Sequence, residues 1–189
     1  MKKFRRYLYR FLPTVSSGLY EKKRKGLQSR WGGDEVLECQ REQDRIFQTH
    51  LLGAKAGGVF WELGAGDGVT GSCALNLELS GGWKGCLWEP RPIPAARAAR
   101  LRQNPVLGEG GQCWDRLLTM APRPDLVNVR RPAEHSWWWA WIESGRIRPA
   151  WVIVENPRPD PRWQQRLTAL GYRFNWFFHD DEYFWDPDR

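Results

Sequence analysis

The 189-residue chain is poor in the residues that build metal and redox centres, with four cysteines, three histidines and two methionines. Cys39, Cys73, Cys86 and Cys113 form no C-x-x-C pair, which excludes a zinc ribbon and a dithiol redox motif. Reduced thiols in a cytoplasmic protein are the expectation. His50, His135 and His179 stand too far apart to read as a metal cluster. No apolar run approaches the roughly 18 residues of a membrane span, so spanning the bilayer is excluded. Internal repeats and low-complexity segments are also lacking. A chain of this length can bury roughly 70% of its unfolded surface without disulfides or metals, and one main domain is expected.

What is abundant is tryptophan, with 13 residues, and positive charge, formally +7. The charge is not spread evenly. Residues 1–30 hold ten Lys and Arg against the single acid Glu21, a local net of +9, whereas the remainder carries 19 basic and 21 acidic residues, a net of −2. The basic character thus belongs to an arm, residues 1–27, and the domain proper is expected over 28–189. Arg10 and Pro13 interrupt the apolar stretch of the arm before it reaches signal-peptide length, so export is not expected. Tyr7, Leu8, Phe11 and Leu12 among basic residues suit an anionic membrane surface or, alternatively, nucleic acid, while a solvated arm is the plain reading. Glu35 to Leu52 reads as an amphipathic helix with Val36, Cys39, Ile46 and Phe47 on its apolar face.

The chemistry concentrates just after Val59–Leu63, a short apolar run ending in a glycine-rich turn. Glu62, Gly64, Gly66 and Gly68 spell E-x-G-x-G-x-G, and a helix through Leu75 to Leu79 follows. A dinucleotide fingerprint spaces its glycines G-x-G-x-x-G; here the third comes one residue early, which favours a nucleoside over a pyrophosphate. Such ligands call for an acid about 20 residues further on, at the end of the next strand, where a carboxylate can accept both ribose hydroxyls. Glu89, after Cys86-Leu87-Trp88, meets that requirement.

The run FWELGAGDGVTGSCALNLELSGGWKGCLWEP, Phe60 to Pro90, closely resembles the first half of FkbM-type S-adenosylmethionine-dependent methyltransferases. Ser29 to Glu35 looks like the entry segment S-Q-x-G-Q-D-E of that family. Trp114 to Leu118 is similar to its L-D-D-L-L, Pro124 to Val127 to its P-D-L-L, and Trp151 to Asn156 to its V-I-L-I-E-N. Gly171-Tyr172 and Asp181 to Phe184 match its closing strands. The likeness covers residues 28 to 185. It implies S-adenosylmethionine as cofactor, with Glu62 and the backbone of Gly64, Gly66 and Gly68 facing the methionine half and Glu89 holding the ribose. Asp34 and Asp67 would line the same pocket. A sulfonium cation and an amine are favoured near carboxylates in a cleft that excludes water.

Three features depart from the family pattern. Arg130 stands where an acid follows the fourth strand, which reverses the local charge and disfavours a cationic cofactor unless the side chain turns away. Ser72-Cys73-Ala74 replaces the S-N-T triplet. Only about two dozen residues separate Pro90 from Trp114, short for a third strand and the hairpin after it, so part of the adenine wall is expected to be lost. Among possible bases, Glu155 ends a strand on the cofactor side, and His135 adjoins Glu134 in what otherwise reads as a surface loop. Trp137, Trp138, Trp139 and Trp141 either cover a sugar-like or lipid-like acceptor or pack a helix onto the core, and packing is the commoner use.

Strands at Val59–Leu63, Cys86–Trp88, Leu126–Val129 and Trp151–Glu155 alternate with helices at Arg91–Arg102 and Asp160–Leu170. This order gives an α/β fold, a doubly wound and mostly parallel sheet. Tyr172–Phe178 and Glu182–Trp185 form a C-terminal hairpin that adds an antiparallel strand at one edge. The expected activity is methyl transfer from S-adenosylmethionine to a hydroxyl of a small molecule or sugar. The alternative is a weak or inactive relative that keeps the fold as a binding module.

Overall fold

The computed structural model describes residues 56–108, 113–132, 136–156, 160–178 and 181–189. The basic arm, the expected helix at 35–52, Asp34 and His135 lie outside them. Seven strands form one sheet in the order β3-β2-β1-β4-β5-β7-β6. They are β1 Val59–Leu63, β2 Lys84–Trp88, β3 Val106–Leu107, β4 Leu126–Val129, β5 Trp151–Glu155, β6 Arg173–Phe178 and β7 Asp181–Trp185. All neighbouring pairs from β3 through β5 are parallel, and β7 pairs antiparallel with both β5 and β6. The antiparallel strand therefore sits one place inside the edge, and β6 is the edge itself. A third strand does exist, but it is two residues long, as the short segment after Pro90 foreshadowed.

Strand identity follows from burial on both faces, which produces continuous apolar runs such as Val152-Ile153-Val154. Alternation along each strand still divides the core into two halves. Trp61, Leu63, Val127, Val129, Val152 and Val154 face a cluster shared with Leu117, Trp138, Trp139 and Leu167. These come from α3 (Cys113–Met120), α4 (Ser136–Glu143) and α5 (Pro161–Ala169). Phe60, Leu87, Leu126 and Ile153 face the other way, toward Cys73, Ala74 and Leu77 at the start of α1 (Leu75–Gly81). On that side α2 (Pro92–Leu101) also packs, through Ala98.

Helix ends carry ordinary signals. Pro92 and Pro161 occupy first-turn positions whose missing N–H costs nothing there, and the Asp160 carboxylate accepts the Arg162 N–H at 3.1 Å. Gly82 closes α1 in the left-handed conformation at φ 67°. Close approach of β1 to β2 depends on Gly85, since a Cβ there would lie 2.0 Å from the Phe60 carbonyl oxygen. The chain leaves β1 toward β2 on one side and returns to β4 on the other, so the carboxyl ends of β1 and β4 open a crevice at the switch of direction.

Candidate functional site

The loop leaving β1 lies in that crevice. Gly64, Gly66, Gly68 and Gly71 all have φ between 62° and 77°, a conformation that residues with a Cβ rarely adopt. The Gly64 and Ala65 amides both donate to the Trp88 carbonyl at 2.9 Å, which ties the loop to the end of β2. There Glu89, fully buried, accepts from the Gly66 amide at 2.6 Å. The glycine loop and the second-strand acid, which the sequence order brings to the same end of the sheet, are thus also joined directly by a hydrogen bond.

Glu89 is heavily engaged. Its Oε1 accepts the Arg91 amide at 3.0 Å and Arg91 Nε at 2.7 Å, and its Oε2 accepts Arg91 Nη2 and Arg131 Nη2, each at 3.2 Å, besides Gly66. Burial pushes the carboxyl pKa up, but the hydrogen bonds from Arg91 and the Gly66 amide outweigh it and hold the group below the usual carboxylate range.

Glu62 points to the α1/α2 face and is also fully buried. Its Oε2 accepts the Ser72 hydroxyl at 2.8 Å and Arg102 Nη1 at 3.0 Å. Arg102 follows α2 and also donates to Glu78 at 2.8 Å and to the Gly68 carbonyl at 2.8 Å. Two carboxyl groups therefore share one buried guanidinium, which also holds the loop. Ser72, in the departed triplet, accepts the Leu75 amide at 3.1 Å and so serves the start of α1. Glu62 Oε1, Arg102 Nη2 and both polar atoms of Asn128 are buried without a hydrogen-bond partner among the described residues. Asn128 is opposite Glu62 in the β1–β4 register, so both side chains leave the sheet on one face. Unsatisfied atoms of both signs gathered there suit a ligand bearing an amine and a carboxylate.

Asp67 is half-buried and folds back on its own turn, accepting the Val69 and Thr70 amides at 2.9 and 2.7 Å and the Thr70 hydroxyl at 2.8 Å. Arg130 does not turn away. It donates to the Thr70 carbonyl at 2.8 Å, and Cβ atoms placed on Gly66 and Gly71 would lie 3.5 and 3.0 Å from its guanidinium nitrogens. Arg131, the next residue, has φ 52°. Its amide donates to Glu155 Oε2 at 2.9 Å while its side chain reaches Glu89, so β1, β2, β4 and β5 all contribute to one charged mouth.

The tryptophans answer as packing. Trp138 and Trp139 are 0% and 3% exposed, and Trp137 and Trp141 are half-buried against the same cluster. Cys73 and Cys86 are buried; the Cys73 thiol donates to Asp181 Oδ2 at 3.5 Å, and burial pushes the Cys86 thiol up to about 11, too high for a reactive thiolate. Among the described residues no group of His, Cys, Asp and Glu could hold a metal ion, and no helix is long and apolar enough to cross a membrane.

Sequence reasoning did not single out Arg91, Arg102, Asn128 or Arg131. The doublet Arg130-Arg131 is the signal in the sequence that points to Arg131.

No family model and no curated protein matches the chain. Solved structures do. A methyltransferase from Pyrococcus furiosus is 16% identical with a TM-score of 0.53, over 77% of this chain and 82% of its own. A TehB-like S-adenosylmethionine-dependent methyltransferase from Corynebacterium glutamicum is 12% identical with a TM-score of 0.54, over 88% and 96%. TrmK of M. capricolum, solved with S-adenosyl-homocysteine, is 9% identical with a TM-score of 0.52, over 77% and 64%. Likenesses of this kind speak to architecture, and the architecture is the Rossmann-like fold of class I methyltransferases.

Proposed function

We propose that the chain is an S-adenosylmethionine-dependent methyltransferase of FkbM type acting on a hydroxyl oxygen of a small molecule or sugar. The observation that carries the reading is the junction of the Gly66 amide with the buried Glu89 carboxylate at the switch point of the sheet. Structural neighbours named as methyltransferases support it, as does the complex of one of them with S-adenosyl-homocysteine.

The donor set fits this cofactor. Glu89 would hold the ribose hydroxyls, the left-handed glycines would let the backbone pass close to the ligand, and Glu62, Asn128 and Arg102 offer unsatisfied polar atoms for the amino-acid end. Asp67 would keep the loop in shape through its turn, and Asp34 would join from the segment before it. When bound, S-adenosylmethionine supplies a methyl group already activated as a sulfonium. The task left to the protein is alignment and exclusion of water, with at most a weak base. Glu155 is placed for that: one oxygen is fixed by the Arg131 amide, and the other takes no hydrogen bond from the described residues and can accept the proton of an acceptor hydroxyl. His135 is a second candidate for the same proton.

Titration calorimetry with S-adenosylmethionine tests the reading. The native chain should give a binding heat that Glu89→Ala abolishes, and equal heats from both would remove the assignment.

A second reading, a methyltransferase fold retained as a binding module, draws on the two arginines that already occupy Glu89. Tight cofactor binding by the native chain, unaffected by Arg130→Asp, would count against it.

A further inference from the structure

The carboxylate that should receive the ribose is already full. Two oxygens offer about four lone-pair sites, and Glu89 accepts five donor contacts, from two backbone amides and the guanidinium groups of Arg91 and Arg131. Two ribose hydroxyls can gain Glu89 only if protein donors leave.

The donors differ in how firmly they are held. The Gly66 and Arg91 amides are backbone groups fixed by the loop and by the start of α2. The Arg91 side chain branches two residues from Glu89 and makes a short pair with it, 2.7 Å from Nε. Arg91, although 52% exposed, holds both oxygens of Glu89 through two side-chain nitrogens, whereas Arg131 reaches Glu89 from beyond the end of β4 through one nitrogen at 3.2 Å and is 29% exposed. It is also the one residue other than glycine with positive φ among the described residues, at 52°. Such a conformation costs a side-chain-bearing residue on the order of 1–2 kcal/mol and persists where the surroundings impose it. Here the Glu155 carboxylate pins the amide and Glu89 pins the guanidinium, on either side of the crevice.

We propose that Arg131 is a built-in competitor for the ribose site: in the free protein its guanidinium closes the crevice on Glu89, and cofactor binding displaces it. The inference rests on the methyltransferase reading above and adds a residue to it. Arg131 then sets how tightly cofactor is held, lowering affinity without touching the ligand. The strained backbone stores a bias toward release, because departure of the guanidinium removes a contact that helps to impose φ 52°.

The test uses S-adenosyl-homocysteine, which lacks the sulfonium and carries no net charge, so that relief of repulsion between a positive side chain and a sulfonium does not enter the comparison. Binding is measured by calorimetry for the native chain, Arg131→Asn, Arg131→Gly, Glu89→Gln and Arg97→Gln, with thermal unfolding of each as a check on folding. Asparagine and glycine both tolerate the left-handed backbone. Arg97 is an exposed arginine of α2 and controls for loss of one charge. The expected result is an affinity gain of about three- to tenfold for both Arg131 variants, the scale of one partly exposed ion pair, and no gain for Arg97→Gln. Unchanged or weaker binding by the Arg131 variants, with Glu89→Gln still impaired, would overturn the competitor while leaving the methyltransferase reading in place. Absence of binding by every protein would remove both.

Discussion

Glu62 and Glu89 are two buried carboxylates at the ends of adjacent strands, and their surroundings differ in one respect that governs everything else about them. Glu62 meets a guanidinium that is itself 0% exposed, whereas the arginines on Glu89 are 52% and 29% exposed. The first acid belongs to a closed network that holds the loop to the sheet. The second belongs to a mouth whose cations can exchange protein for water. A buried pair broken on one side leaves a charge with nowhere to go, whereas a half-exposed pair relaxes at little cost. The larger share of stability should therefore reside in the first cluster, and the larger rearrangement on ligand binding in the second.

The sharpest way to break that contrast is Arg102→Ala. Removing the shared partner of Glu62 and Glu78 should cost about 3–5 kcal/mol in urea unfolding, and a variant of native stability would show that the network is not structural. Next comes Gly68→Ala. Its φ is 77°, and an added Cβ would stand 2.9 Å from Ala98 Cβ and 3.0 Å from Arg102 Cγ, so a loss of about 1–3 kcal/mol is expected in the same assay. Glu89→Gln should cost only about 1 kcal/mol, because Arg91 and Arg131 can turn outward, yet weaken S-adenosyl-homocysteine at least tenfold by calorimetry.

The smallest effect is on pH dependence. The Glu89 carboxyl is held below its unfolded value, so its contribution to stability is fully present above about pH 4.3 and is lost as pH falls through the lowered folded value. Acid titration of native and Glu89→Gln proteins should converge below that window. A difference that persisted there would mean the carboxylate does not stabilise the fold in its ionised form.

The elements were largely legible because their signals are local. β1, β4 and β5 fall on the residues that their apolar runs indicate, and the turn glycines carry the dihedrals that their spacing implies. The meeting of Glu89 with the first loop was legible for the same reason, since strand, loop, helix, strand and acid fix it in order. Partners of the acids were not. Arg102 lies 40 residues from Glu62 and Arg131 lies 42 from Glu89, and nothing in either neighbourhood distinguishes them from other arginines. Expecting Arg130 to bring positive charge to the crevice identified the right turn of chain but not its second cation: Arg130 lies on the glycine loop, and its neighbour Arg131, at φ 52°, reaches Glu89. The C-terminal hairpin lies at one edge of the sheet as expected, and which of its strands pairs with β5 is a detail that a hairpin read from sequence does not fix.

The packing of indoles has a use outside stability. Trp61, Trp141, Trp137 and Trp88 touch in series, with ring centroids 5.9, 5.2 and 5.6 Å apart, and Trp88 directly precedes Glu89. Light absorbed anywhere along that row can migrate among its members, so emission from the interior carries information about the crevice. A shift in intrinsic fluorescence should accompany any event that moves the neighbours of Glu89, and the molecule therefore needs no attached dye to be watched opening.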